Sequence, residues 1–223
     1  MNETSKSRKI WTDGSLEREV LKGKGIDIGP AEDPVLPNVK RFDMEDGDAN
    51  IISQFIKEQF DFVYASHCLE HMHEPRKAIL EWWKLVKVGG YLFFMVPEED
   101  LYEQGVFPSR FNPDHKATFT ISKTKSWSPI SINVLDLAQS LPGGHIMKIA
   151  LQDHNYDRRL FRFGPRKNTG FISKYFVRYY RGLERRKIAP KFLESLVLRY
   201  EAVDQTKKED TLAQIVCIVK KTI

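Results

Sequence analysis

Residues 61–97, DFVYASHCLEHMHEPRKAILEWWKLVKVGGYLFFMVP, contain a strand, a helix and a second strand with their turns marked, and that order leaves few folds open. Residues 62–65 are β-branched and aromatic, whereas 66–73 form a polar, histidine-rich turn too irregular to extend the strand. Pro75 suits the first turn of a helix, and Ile79, Trp82, Trp83 and Val86 follow at i, i+3, i+4 and i+7 as one apolar stripe. Gly89-Gly90 is expected to stop that helix. Residues 91–96 are then a continuous apolar run, as in a parallel strand covered on both faces, ended by Pro97. The unit is βαβ and the fold class α/β. Ligands of such sheets bind beyond the carboxyl ends of the strands, which puts the turn 66–73 where a site is expected.

The same reading applies upstream. Residues 1–10 are polar and basic and expected to fray, while 15–21 fit a short helix with Leu16 and Val20 on one side. Residues 24–29, KGIDIG, form a short strand ending in Asp27 and Gly29, followed by a proline-rich turn. A second strand, 39–43, ends in Asp43, and a carboxylate at that position suits two hydrogen bonds from a ribose diol. Taken singly, these acids read better as ordinary turn residues.

Taken together they are more specific. SHCLEH at 66–71, EWWKLVKVGG at 81–90, VPEEDLYE at 96–103 and NPDHK at 112–116 follow one another in a set order. Over about residues 25–142 the chain resembles class I S-adenosylmethionine-dependent methyltransferases of the bacterial SHxLEH/NPDHK type. The resemblance implies a Rossmann-like three-layer sandwich with a mostly parallel seven-stranded sheet whose last strand is antiparallel. It implies S-adenosylmethionine as cofactor and S-adenosylhomocysteine as product. By motif position, Asp27, Gly29 and Pro30 would meet the methionine half, Asp43 the ribose, and Asp48 with Ala49 the adenine, while Ser66 and His67 would close over the sulfonium. The turn after the first strand reads GPAED where relatives carry GxGxG, so the first helix is short or absent, and Glu45 or Asp46 stands as an alternative ribose acceptor.

Methyl transfer to an alcohol is an in-line displacement that depends on alignment and on a proton acceptor. Histidine titrates near neutrality, so His115 in the NPDHK loop is the first candidate base and His71 the second, with Asp114 adjoining. A loop-fixing hydrogen bond is an equal reading of His115. Two distant cysteines, Cys68 and Cys217, offer no structural zinc spacing, and no metal site is assigned. A divalent cation at Asp153, His154 and Asp157 is the lesser alternative.

Downstream, 130–141 fit a helix ended by Gly143-Gly144, and 145–152 and 212–220 fit two strands that would pair antiparallel at the sheet edge. Between these strands lies a basic and aromatic insertion at about 154–208. Residues 154–191 hold about a dozen basic residues against two acidic ones, a field that draws anionic partners. The expected domain plan is an N-terminal extension with a short helix, 1–24, and a methyltransferase domain, 25–223. No apolar run approaches the roughly 20 residues that span a bilayer; a soluble, cytoplasmic protein is expected. The acceptor expected from the resemblance is a sugar hydroxyl of a bacterial surface glycan, or its sugar-nucleotide or other anionic precursor. RNA, a small metabolite, peripheral membrane contact and a non-catalytic binding module are the alternatives, and the sequence leaves the oligomeric state open.

Overall fold

The apolar run 91–96 needs a partner on each edge and cover on both faces, and the computed structural model, which describes residues 3–164, 171–186, 188, 190 and 202–223, shows what supplies them. Strands β1 (Gly25–Ile28), β2 (Lys40–Phe42), β3 (Phe60–Ser66) and β4 (Val86–Pro97) pair in parallel. A separate parallel pair consists of β5 (Thr118–Thr120) and β6 (Ser131–Asn133). Strand β7 (Gly144–Gln152) lies at the sheet edge, and β8 (Gln214–Lys221) runs antiparallel between it and β4, as the sequence predicts. The main sheet has the order β2-β1-β3-β4-β8-β7. It holds six strands where seven were expected. The segment between β2 and β3 forms a 3-10 turn at Ala49–Gln54 instead of a strand, capped by Asp48.

Alternation along the strands divides the core in two. Val63, Ala65, Leu92, Phe94, Ile215 and Cys217 face one side. They pack there against Ala78, Ile79 and Trp82, and against Val134 and Leu137. Phe62, Tyr64, Phe93, Met95, Val216 and Ile218 face the other side, covered by Trp11, Val20, Leu21 and Val35. The N-terminal residues therefore form the third layer. Helix α1 (Glu3–Ile10) is packed, not frayed, because tertiary bonds outweigh its polar composition. Ser5 N donates to Asp33 Oδ2 at 2.8 Å, and the buried Lys6 ammonium donates to Glu3 and to the carbonyl of Thr206. Helix α2 (Leu16–Glu19) follows, with Val20 and Leu21 buried just beyond it.

Helix α3 (Pro75–Lys84) buries Ile79, Trp82 and Trp83 as the period predicts, but it ends before the glycines. Val86 already pairs with Phe60 in β4, and a Cβ on Gly90 would lie 2.7 Å from the Asp61 carbonyl. Strand pairing overrides the helical period there. Helix α4 (Val134–Gln139) is shorter than the expected 130–141, since Ser131–Asn133 is taken by β6. Helix α5 (Phe171–Arg185) lies in the basic insertion, parts of which (165–170, 187, 189 and 191–201) fall outside the described residues.

The chain passes from β1 to β2 on one side and continues to β3 on the other. β1 and β3 therefore flank a topological switch point, where open α/β sheets hold ligands.

Candidate active site

At the end of β1, Gly29 has φ +70°, and its N–H donates to the Phe42 carbonyl at 2.8 Å. A Cβ there would lie 2.8 Å from Cys68 Sγ, so both the backbone angle and the space call for glycine. Asp27, one turn of the pleat earlier, is buried and accepts from Val35 N at 2.7 Å, with its other oxygen unpartnered. Burial pushes its carboxyl up to about 7, with Asp33 and Asp43 adding to the shift and Val35 N–H and Arg41 opposing it.

Asp43 uses its carboxylate to hold the turn after β1, accepting from Ala31 N at 2.8 Å and Met44 N at 2.9 Å. Asp48 accepts from the backbone and side-chain nitrogens of Asn50, bonds that hold its carboxyl below the usual range. The Ala49 carbonyl accepts from the Trp82 indole at 2.9 Å.

A cavity of about 230 Å³ opens at the switch point, lined by Gly29, Pro30, Ser66, His67, Glu70, His71 and His115 among others. Asp27, Asp43, Asp48 and Ala49 do not line it. Glu3 and Thr4 of α1 close one side of the cavity, together with Thr206. His67 follows β3 with φ +52°; its Nε2 pairs with Gln214 Oε1 at 2.8 Å, and its Nδ1 lies 3.3 Å from Glu70 Oε1. Burial works against charge on this ring, but the Glu70 carboxylate, then Glu3 and Gln214, raise its pKa to about 9. Burial likewise pushes the Glu70 carboxyl up, yet His67, with His115 and His71 behind it, brings it below the ordinary value.

Two distant motifs meet here. The Glu70 carbonyl, in the 3-10 turn Leu69–His71, accepts from Lys116 N at 2.7 Å and Ala117 N at 3.3 Å, binding the NPDHK loop to the SHCLEH turn. His115 is buried, and its Nδ1 donates to Glu103 Oε1 at 2.6 Å. Its ring stacks on Tyr102, with centroids 5.2 Å apart, and stands edge-on to His71 at 5.1 Å. Tyr102 and Glu103 come from a single π turn, Glu99–Glu103, just beyond β4; such turns recur at functional sites. Asp114 does not pair with its neighbour His115. Its Oδ2 accepts from His71 Nδ1 at 2.8 Å, and its Oδ1 accepts from Lys116 at 2.7 Å.

His71 and His115 thus each have Nδ1 fixed by a carboxylate and Nε2 left for a ligand, whereas Nε2 of His67 is taken by Gln214. That arrangement suits proton transfer or coordination. Glu70 and Glu103 were not assigned from the sequence. Glu70 lies inside the quoted SHCLEH motif and Glu103 ends VPEEDLYE, but nothing in the spacing ties Glu103 to a histidine 12 positions on.

Asp153 and Asp157, considered above for a cation, are engaged by Arg158 at 2.5 Å and Arg159 at 2.8 Å.

Residues 15–94 match the family model described as methyltransferase domain. Among solved structures, a SAM-dependent methyltransferase from Archaeoglobus fulgidus is similar at 14% identity and TM-score 0.46, over 99% of this chain and 95% of that one. The [4+2]-cyclase SpnF is similar at 16% identity and TM-score 0.47, over 93% and 78%. Phosphoethanolamine N-methyltransferase 2 from Haemonchus contortus, in complex with S-adenosyl-L-methionine, is similar at 13% identity and TM-score 0.44, over 93% and 51%. No curated protein sequence matches. The match identifies a methyltransferase domain over residues 15–94.

Proposed function

We propose that this methyltransferase domain transfers the methyl group of S-adenosylmethionine to a hydroxyl oxygen that enters the corner of Glu70, His71 and His115. The observation that carries the reading is the pairing of each histidine with a carboxylate beside the β1/β3 switch point. The acceptor oxygen forms a bond to the methyl carbon as the carbon–sulfur bond breaks, leaving S-adenosylhomocysteine and a methyl ether. The acceptor proton is lost at the histidine corner, with His115 and His71 in contact with the acceptor. Asp114 and Glu103 act as positioning residues that fix the ring orientations. Gly29, Pro30, Ser66 and His67 form the wall toward the methyl donor, and Asp27, Asp43, Asp48 and Ala49 support that wall through the turns they hold.

We infer a sugar hydroxyl as the acceptor, on a bacterial surface glycan or its nucleotide- or lipid-phosphate-linked precursor, methylated in the cytoplasm. Supporting this are the motif resemblance and the basic insertion, where Arg178, Arg185 and Arg186 are exposed and suited to a phosphate-bearing carrier. Among the described residues no helix is long and apolar enough to cross a membrane. Incubation with methyl-labelled S-adenosylmethionine and separate pools of sugar nucleotides, lipid-phosphate glycans and RNA tests the reading. Alkali-stable label in a glycan pool is expected; label confined to RNA would contradict it.

A further inference from the structure

The three side chains at the cavity corner offer more than a proton acceptor. One nitrogen of His71, one nitrogen of His115 and one oxygen of Glu70 lie within 4.8 Å of one another. We propose that Glu70, His71 and His115 hold a divalent transition-metal cation whose remaining coordination positions open into the cavity.

Two imidazoles and one carboxylate on one side of an ion, with open positions opposite, form a donor set suited to first-row divalent metals. Metal–ligand bonds of ~2.0–2.2 Å set donor separations of roughly 3–3.5 Å, so donors now up to 4.8 Å apart would close by up to about 1.5 Å around the ion. The pairing with His67 engages only one oxygen of Glu70. The residue is 1% exposed, and neither carboxylate oxygen has a hydrogen-bond partner among the described residues; the nearest cation, His67, stands 3.3 Å away outside hydrogen-bond geometry. His67 supplies one cation beside Oε1 of this buried carboxylate, and Oε2, without a hydrogen-bond partner among the described residues, is left for a second.

The surroundings of the histidines point the same way. Asp114 accepts from His71 Nδ1 and Glu103 accepts from His115 Nδ1, so both rings present Nε2. Metal-ligating histidines are oriented by such outer carboxylates, which also raise their basicity as ligands. Two rings held this way, beside a buried glutamate whose Oε2 has no hydrogen-bond partner among the described residues, make a built site. The Glu70 carbonyl bonds to Lys116 N and Ala117 N further fix the separation of the two ligand-bearing segments.

The ion's role rests on the methyl-transfer reading above. A hydroxyl bound at an open position would be polarised and lose its proton to water, and its oxygen would then take the methyl group from sulfur as the sulfonium becomes a neutral thioether. His71 and His115 would then act as ligands of the ion, in place of the direct contact with the acceptor and its proton described above.

Titration of the chelator-treated full chain with Co²⁺, followed by calorimetry and by visible absorption, tests the site. One equivalent is expected to bind with ligand-field bands, and Glu70→Gln or His71→Ala should each weaken that binding at least tenfold. Asp114→Asn, which leaves all three ligands in place, should weaken it by roughly 10-fold or more through loss of ring orientation. Absence of one-equivalent binding in the parent chain, or equal affinity in Glu70→Gln and His71→Ala, would overturn the proposal. S-adenosylhomocysteine binding is measured separately: if it is intact where Co²⁺ does not bind, the metal site fails and the methyltransferase reading stands.

Discussion

Glu103 Oε1 stands 2.6 Å from His115 Nδ1, with both side chains almost wholly buried. The bond joins the π turn after β4 to the NPDHK loop and leaves Nε2 as the nitrogen through which His115 can act. Glu103→Gln keeps the size of the partner but removes the anionic acceptor. Turnover should fall by roughly 10–100-fold while S-adenosylhomocysteine affinity stays unchanged by calorimetry. Paired losses of turnover and cofactor affinity would mean that the residue serves the fold alone.

Gly29→Ala meets two obstacles, a φ of +70° and Cys68 Sγ at 2.8 Å from the new methyl. The left-handed backbone alone costs about 1–2 kcal/mol. Adding Cys68→Ala should restore only the part of the loss that comes from the contact. Urea midpoints of the single and double variants measure the division; full restoration would show that the backbone angle is unstrained.

Asp27 makes stability depend on pH. Its carboxyl sits up at about 7 in the fold because of burial, against ~3.9 in an unfolded chain. Between those values the unfolded chain has shed the proton and the folded chain keeps it. The contribution is therefore full below about pH 4 and is lost as the pH rises through about 7, at up to about 1.4 kcal/mol per pH unit. Asn at this position keeps an acceptor for Val35 N and does not titrate. The stability advantage of Asp27→Asn over the parent should widen from pH 4 to 7 and then level off, as read from denaturation curves at each pH. Glu98, pushed up to about 7 mainly by burial, adds a fall of the same sign to both proteins.

Asp33 holds α1 over the cavity through Ser5 N at 2.8 Å and the Ser5 hydroxyl. Hydrogen bonds to a charged acceptor of this kind contribute about 1.5–3 kcal/mol. Asp33→Ala should speed amide exchange in residues 3–10 relative to β3 and β4. Unchanged exchange there would show that the buried Lys6, bonded to Glu3 and Thr206, secures the helix without it.

The sheet was legible because its signals are local: 91–96 is apolar throughout, and 62–65 precedes a turn that cannot continue a strand. What escaped the sequence depends on distant partners. Val86 fits the helical stripe, yet Phe60 draws it into β4; residues 3–10 look frayed until Asp33 and Thr206 are placed beside them. In the site, the histidines were singled out by their chemistry and do meet at one cavity, whereas their carboxylate partners were not readable. Asp114 adjoins His115 in sequence but bonds to His71, and Glu103 reaches His115 only through the π turn.

The account depends most on the cavity at the β1/β3 switch point receiving the methyl donor, and calorimetry with S-adenosylhomocysteine tests that directly. One molecule should bind per chain, with affinity lost in Gly29→Ala and retained in His115→Ala. No binding at about millimolar ligand, which corresponds to less than about 4 kcal/mol of binding free energy, would contradict the account.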